Sequence, residues 1–162
     1  MDKVEFKVFN GQQIIDEEPE VFEQMSAVFE SRDNRRGESI LKLMDKDTEI
    51  LCMMKNGEVE GFSWMVFCDK KHIAELCWFA THKEKVRGLE GKALLDKTIE
   101  YCRERKTKTL SFNCAASSWG NIKDKKALFE RFGYKIKDNK IERRYWDMVI
   151  DISKTIEKSR DK

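Results

Sequence analysis

A glycine-containing segment at residues 85–97 has the residue types of a phosphate-binding loop. It reads KVRGLEGKALLDK, with Gly88 and Gly91 among basic residues ahead of an amphipathic run. Glycines let a backbone approach a phosphate closely, and the N–H groups and positive dipole end of a helix N-terminus bind anions. Arg87 and Lys92 add positive charge beside the glycines. Taken alone, the segment is also compatible with a turn before a surface helix.

Glu75 is the best candidate for acid–base chemistry. It lies in the apolar segment IAELCWFAT, on the same strand face as Cys77 and Phe79, which is an unusual place for an acid. A partly buried carboxylate holds a proton more readily than a solvated one, so it can serve as a general base near neutral pH. The alternative is a solvated glutamate at a sheet edge without a chemical role.

The cysteines do not have the spacing of a metal site. There are five, without a CxxC pair, and the two histidines stand apart from them. We expect no metal site and interpret the cysteines as buried thiols in a reducing cytosol: Cys52, Cys68, Cys77, Cys102 and Cys114. No histidine base lies beside Cys114, so a nucleophilic role for it is not favoured.

Composition favours one globular domain. The chain has 162 residues, of which 40% are hydrophobic and 38% charged, with a net charge of +2. That balance does not favour nucleic-acid binding, which usually needs a basic excess. No secretory signal is visible at the start, and no apolar run reaches the roughly 20 residues of a membrane span. We expect a cytoplasmic protein with a single domain over 1–162, in which 153–162 is a polar tail.

Hydrophobic periodicity predicts a mixed α/β fold. The predicted order is β-α-α-β-β-β-α-β-α-β-β, with a strand–helix–strand crossover joined to an antiparallel meander. The strand segments are residues 4–9, EILCMM, EGFSWMVF, IAELCWFAT, TLSFNCA, GYKIK and RYWDMVIDI. The helical segments are DEEPEVFEQMSAVFESR with its early Pro19, GESILKLMD, the run after Gly91, and KDKKALFERF.

This order and two local phrases resemble the GNAT (Gcn5-related N-acetyltransferase) family. ALFERFGYK (Ala127–Lys135) is similar to the family's "LYEKxGF" segment, and NGEVEGFSWMV (Asn56–Val66) is similar to its "dgeivGfi" strands. KVRGLEGKALL follows the fourth strand, where the family has its Gln/Arg-x-x-Gly-x-Gly/Ala loop. The resemblance spans Val4 to Ile152 and implies a central mixed sheet of about seven strands with helices on both faces.

The resemblance also implies acetyl-CoA as the cofactor. In the family, this loop holds the coenzyme A pyrophosphate, and the end of the fourth strand polarises the thioester carbonyl. Carried over residue by residue, the cofactor-binding set is Phe79, Thr81, Arg87, Gly88, Leu89, Glu90, Gly91, Lys92, Asn121 and Phe129. By position, Glu75 is the general base.

The sequence departs from the family pattern at two places. The loop is short of a glycine and carries an acid, Glu90, near the expected phosphates. Phe129 stands where the family has the tyrosine that protonates the leaving thiolate, and phenylalanine has no proton to give. The thiolate then leaves unassisted or with solvent, another hydroxyl substitutes (Ser117, Ser118 or Tyr134), or the protein is not a catalyst.

Two alternative functions are therefore compatible with the sequence. The first is an enzyme, an N-acetyltransferase moving acetyl from acetyl-CoA to a primary amine on a small molecule or protein by direct attack in a ternary complex. The alternative is a GNAT-fold protein that has lost catalysis and binds a partner, with or without coenzyme A. Acceptor choice is expected to depend on the first two helices and the last strand pair, and a homodimer through the C-terminal strand is a further expectation.

Overall fold

The structure is a computed structural model that describes residues 3–32, 37–86, 89–115, 127, 130–135, 137–142 and 145–151. For 112–115, 137–142 and 145–151 it describes the backbone and not the side chains. The polar tail predicted at 153–162 lies outside the described residues.

The described elements agree with the predicted order in most places. The strands are β1 (Val4–Asn10), β2 (Thr48–Lys55), β3 (Glu58–Cys68), β4 (Ile73–Thr81), β5 (Thr109–Ala115), β6 (Lys137–Glu142) and β7 (Tyr145–Asp151). The helices are α1 (Gly11–Glu17), α2 (Pro19–Glu30), α3 (Gly37–Leu41) and α4 (Glu90–Glu104). Of the short helix predicted in KDKKALFERF, four residues are described: Ala127, Glu130 and Arg131 are helical, and Phe132 lies in the turn that follows.

The strands form a mixed sheet, as predicted. Seven strands follow one another in the order β1-β2-β3-β4-β5-β7-β6. β4 and β5 pair in parallel, whereas β2 pairs with β1 and β3, and β7 with β5 and β6, in antiparallel fashion. The parallel register joins Ile73–Glu75 to Thr109–Ser111, and β4 continues beyond it to Thr81.

The chain divides into two compact units. The first unit comprises Met1–Val66 and Trp78–Thr98, and the second comprises Phe67–Cys77 and Ile99–Lys162. Each is described by itself below. The single domain over 1–162 stays a prediction.

In the first unit, α4 packs closely on β3. A Cβ atom at Gly61 would lie 3.1 Å from Leu94 Cδ2 and 3.3 Å from the Ala80 carbonyl oxygen, so a larger residue here requires its neighbours to move by a few tenths of an ångström. One step along the strand, Ser63 meets Thr98 of the same helix. Phe62, which points to the opposite face of β3, is buried too. Both faces of this strand are therefore covered, as expected for a sheet between helices.

Asn56 and Gly57 make the turn between β2 and β3. Their φ angles are 54° and 84°. Two consecutive positive φ values are characteristic of the type I′ turn, which matches the right-handed twist of a hairpin and favours Asn-Gly. The hairpin predicted from KNGE is confirmed.

Helix α1 was not predicted. Asn10 caps it, because its side-chain oxygen accepts hydrogen bonds from the backbone N–H groups of Gln12 and Gln13. Ile14 is completely buried and anchors the helix. Asparagine before a glycine is as common in turns as at helix starts, so the local sequence does not distinguish the two.

Two other predicted segments are shifted. GYKIK was predicted as a strand, but β6 begins only at Lys137. Gly133 has φ 100° and its N–H bonds to the Glu130 carbonyl, so this glycine closes a helical turn. The second helix was predicted over GESILKLMD, but α3 ends at Leu41.

Candidate functional site

The connection from β4 to α4 lies in the first unit and is partly described. After Thr81, the chain turns over His82–Val86, where the Val86 N–H bonds to the His82 carbonyl oxygen at 3.1 Å. Two residues of the predicted loop, Arg87 and Gly88, lie outside the described residues. The described part resumes at Leu89, whose carbonyl accepts the Ala93 N–H at 3.0 Å and so opens α4.

The start of α4 has the chemistry of an anion site. The first four N–H groups of a helix have no intrahelical acceptor and lie at the positive end of the dipole. Leu89, which precedes the first helical residue and is 74% exposed, has no side-chain acceptor with which to cap them. Gly91 is in the first turn, as predicted. Lys92, expected to add charge here, pairs with Asp96 at 2.7 Å along the helix.

A nearly buried lysine of β2 holds both sides of this connection. Lys55 Nζ lies 2.9 Å from Glu90 Oε2 at the start of α4 and 3.4 Å from the Lys85 carbonyl oxygen, before the loop. A second carboxylate, Glu60 of β3, lies 3.7 Å away. The side chains of Lys55 and Glu60 are only 11% and 12% exposed. The acid expected beside the phosphates is therefore paired with an ammonium group.

The end of α2 is attached to the end of β4. Arg32 donates from Nε to the Thr81 carbonyl oxygen at 2.7 Å and from Nη2 to Thr81 Oγ1 at 3.1 Å. The Lys83 N–H bonds to Ser31 Oγ at 3.0 Å. Phe79, two residues before Thr81, is buried. The segment expected to hold a thioester is thus fixed from the side of α2.

Glu75 lies in the second unit, in the part of β4 that pairs with β5. Its partner in the parallel register is Ser111, and its side chain is half-buried. The Glu75 charge adds to burial in raising the pKa of the Cys77 thiol to about 12, with burial the larger cause. The two side chains therefore share one environment, and the Cys77 thiol is protonated at neutral pH.

Four further predicted site residues lie outside the described residues: Ser117, Ser118, Asn121 and Phe129. Tyr134, another candidate hydroxyl, is half-buried directly after Gly133 in the second unit. The roles of all five stay predictions.

The described cysteines differ in exposure from one another. Cys52 and Cys102 are buried and Cys77 is half-buried, but Cys68 is exposed. The prediction of buried cysteines is therefore wrong for Cys68, which ends β3 at a turn. Among the described residues, no three His, Cys, Asp or Glu side chains cluster as they would around a metal ion.

Sequence reasoning missed Lys55 and Arg32. Neither has a local signal, because Lys55 is the last residue of an apolar strand before a turn and Arg32 follows the end of a helix, where basic residues are common. Their partners are far away in the sequence and are brought close only by strand register and helix packing. Within the described ranges, no helix combines the length and the apolar character of a membrane span.

The known proteins that match this chain do so by structure and share one fold. The sequence matches no protein-family model and no curated protein. A structure from Desulfovibrio desulfuricans, described as an acetyltransferase of the GNAT family, aligns with TM-score 0.70 and 14% identity over 93% of this chain and 99% of its own. The PaiA N-acetyltransferase of Thermoplasma acidophilum in complex with coenzyme A aligns with TM-score 0.63 and 12% identity, over 91% and 98%.

A third solved structure has a similar fold. The ribosomal-protein-S18-alanine N-acetyltransferase of Escherichia coli aligns with TM-score 0.58 and 17% identity, over 91% of this chain and 92% of its own. Each alignment covers nearly the whole of both chains, so the likeness concerns the complete arrangement of elements and not one motif. The chain has the GNAT fold.

Proposed function

We propose that this protein is an N-acyltransferase that moves an acetyl group from acetyl-CoA to a primary amine by direct attack in a ternary complex. The observation that carries the proposal is the start of α4 at the end of the connection from β4, with Lys55 bound to both sides of that connection. Coenzyme A is an anionic ligand, and a helix start preceded by a residue without a side-chain acceptor, Leu89, suits its pyrophosphate.

The donor chemistry of the described residues fits coenzyme A. The backbone N–H groups from Leu89 to Lys92 would hold the pyrophosphate, with the predicted Arg87 and Gly88 completing the loop. Lys55, which lies 2.9 Å from Glu90 and is shared with Glu60, offsets part of the Glu90 charge. The backbone of Phe79 to Thr81 would position the thioester, since the parallel register with β5 ends at Glu75, before this segment. Asn121 and Phe129 are carried over as further contacts.

Glu75 is proposed as the general base. Acetyl-CoA supplies an activated acetyl thioester. As the amine nitrogen bonds to the carbonyl carbon and the carbon–sulfur bond breaks, the proton of the amine passes to the Glu75 carboxylate, directly or through water. Holding the amine and the thioester in line supplies much of the rate enhancement, and polarising the carbonyl with backbone N–H groups adds to it.

The leaving thiolate needs no dedicated acid for this reaction to proceed. A thiolate is a much weaker base than an alkoxide, so solvent can protonate it after the carbon–sulfur bond breaks. Phe129 therefore does not by itself exclude catalysis. Ser117 and Ser118 are the proposed stand-ins for the missing tyrosine, and replacing each by alanine shows whether either contributes to the rate.

The test is release of the coenzyme A thiol from acetyl-CoA in the presence of a panel of primary amines. We expect turnover, and we expect Glu75→Gln to lower kcat/KM by about 10²–10⁴, the usual contribution of general base catalysis, and to alter its pH profile. Glu104→Gln, which changes an exposed glutamate of α4, is the control and should retain full activity. An unchanged pH profile in Glu75→Gln would show that the base is another group.

Complete absence of turnover would overturn the proposal. Retained binding of coenzyme A in that case would favour the alternative, a GNAT-fold protein that has lost catalysis and acts by binding a partner. The sequence observation behind this alternative is Phe129 in place of the family's tyrosine.

A further inference from the structure

Arg32 presents a guanidinium group that is exposed yet held in one orientation. Two of its nitrogens donate to Thr81, one to the backbone carbonyl and one to the side-chain hydroxyl. A guanidinium group carries five N–H donors in a planar fork. Nε has a single N–H, which is used, and Nη2 uses one of its two. Three donors remain for a ligand, in a plane fixed by Thr81.

Two described carboxylates of the adjoining segments are engaged by other groups. Glu30, two residues earlier on α2, accepts the Gly37 N–H at 2.9 Å. The backbone carbonyl oxygen of Glu60 accepts the N–H of His82, the residue after Thr81. The Glu60 carboxylate lies beside Lys55. No carboxylate of the described residues forms an ion pair with Arg32. The guanidinium charge is thus uncompensated within the described part of the chain.

The position of Arg32 favours binding of the acceptor over binding of the coenzyme A phosphates. Under the proposed function, the phosphates bind at the start of α4, where Lys55 is the organising cation. Arg32 lies two residues beyond the last residue of α2 and donates to Thr81, in the segment that would hold the thioester. An anion bound here belongs to a molecule that reaches the reacting carbonyl.

We propose that Arg32 binds a carboxylate on the acceptor, so that the substrate is a primary amine that also carries an acidic group, such as an amino acid or the end of an acidic peptide. This inference rests on the proposed function and names the substrate class of the same site. A guanidinium–carboxylate pair with two parallel hydrogen bonds fixes direction as well as position. Arg32 is then a residue for specificity and positioning.

The same charge would help the chemistry. A primary amine in solution is mostly protonated at neutral pH and cannot attack until it loses that proton. A fixed cation near an ammonium group lowers its pKa, because like charges disfavour the charged form. An acceptor whose carboxylate is bound by Arg32 would therefore lose its ammonium proton more easily at the reacting position, and the proton would go to the base.

The first experiment measures binding and does not require turnover. The Arg32 Nε–Hε signal is assigned in the NMR spectrum of ¹⁵N-labelled protein by its loss in Arg32→Lys. The protein is then titrated with N-acetylglycine, and separately with N-acetylglycinamide, which lacks the carboxylate. We expect the Arg32 signal to shift saturably with the acid alone. No shift with either probe, or equal shifts with both, would overturn the proposal.

The second experiment compares amines by kinetics. For pairs of an amino acid and its amide, the ratio of the two kcat/KM values is measured in wild type, Arg32→Gln and Arg32→Lys. We expect Arg32→Gln to lower the acid-to-amide ratio about tenfold or more, as for loss of a charged hydrogen bond, and Arg32→Lys to lower it less. The ratio cancels any general loss of activity caused by the lost contact to Thr81.

A matched control removes the same charge elsewhere. Lys46→Gln alters an exposed lysine between α3 and β2 and should leave the ratio unchanged. If Arg32→Gln weakens coenzyme A binding tenfold while the acid-to-amide ratio is unchanged, the bound anion is a phosphate of coenzyme A and the acceptor proposal is wrong. Failure of every amine to react would instead refute the proposed function, and the NMR titration would still decide whether Arg32 binds carboxylates.

Discussion

Lys55 at the end of β2 and Glu90 at the start of α4 form an ion pair of 2.9 Å, although they are far apart in the sequence. Because Lys55 also approaches the Lys85 carbonyl oxygen, a single ammonium group holds the two sides of the connection between β4 and α4. The connection is therefore positioned in part by a side chain of β2.

Lys55→Met should destabilise the protein and loosen this connection. The change leaves Glu60, whose side chain is 12% exposed, without the ammonium beside it. Breaking a mostly buried pair in this way costs about 2–3 kcal/mol, somewhat less than for complete burial. Urea denaturation measures the free energy of unfolding. A coenzyme A titration of the same variant should show about tenfold weaker binding, through lost preorganisation.

Lys42→Met is the matched control for this change. Lys42 pairs with Glu38 at 2.9 Å on the surface of the protein, where both side chains are more than half exposed. Exposed pairs contribute under about 0.5 kcal/mol. Equal destabilisation by the two variants would show that Lys55 acts as an ordinary surface lysine.

Gly61→Val should destabilise the packing of α4 on β3. The first added carbon would already lie 3.1 Å from Leu94 Cδ2 and 3.3 Å from the Ala80 carbonyl oxygen. Overpacking of this kind costs about 1–3 kcal/mol, and Gly61→Ala should cost less. The free energy of unfolding is measured for each variant and for Gly61→Val combined with Leu94→Ala. Strict additivity in the double variant would contradict a direct contact, because the smaller residue 94 makes room.

Cys77 should react with iodoacetamide far more slowly than Cys68. Burial and the Glu75 charge raise the Cys77 pKa to about 12, so about one thiol in ten thousand is ionised at pH 8. Cys68 is exposed, and we expect it to react about a hundredfold faster, as measured by peptide mass spectrometry. Glu75→Gln should accelerate labelling of Cys77, since it removes a charge that disfavours the thiolate. Unchanged labelling would show that Glu75 does not face this thiol.

The same shift has a consequence for alkaline stability. The folded-state pKa of Cys77 lies above the ordinary value of 9.0. The protonated thiol therefore contributes stability that is fully present below pH 9 and is lost as the pH rises toward 12. Cys77→Ala should make the free energy of unfolding fall less steeply over this interval.

Thr98→Val should cost more than Ser63→Ala, although both remove one hydroxyl from the same buried pair. The two hydroxyl oxygens are 2.6 Å apart, and Thr98 Oγ1 also donates to the Leu94 carbonyl oxygen at 2.7 Å. Thr98→Val leaves the buried Ser63 hydroxyl without this acceptor, which costs about 1–3 kcal/mol. Urea denaturation of the double variant should show recovery of part of that loss. A double variant as unstable as the sum of the single ones would contradict the pairing.

The strands of this fold other than β6 were predictable because their signals are local. β4 occupies the residues of IAELCWFAT, an apolar run between two polar turns, and β5 occupies TLSFNCA. Helix α2 begins at Pro19, as expected for proline in the first turn of a helix. In each case the pattern within one segment determines the element.

The contacts at the site were not predictable because they join distant segments. Glu90 was expected as an acid near the phosphates, and its partner Lys55 lies on a strand that is far away in the sequence. Arg32 reaches Thr81 through the packing of α2 near the end of β4. Side-chain pairing between elements depends on tertiary geometry, which the hydrophobic periodicity of a single segment does not predict.

The pairing of β1 with β2 has a consequence for the order of folding. The turn at Asn56 and Gly57 lets β2 and β3 meet through contacts that are close in sequence, whereas Val4 pairs with Lys55 across a chain segment that holds α1, α2 and α3. Closing so long a loop costs entropy before any pairing is gained. We therefore expect the hairpin to form early and β1 to join it late, so that this edge strand is also the first to separate under denaturing conditions.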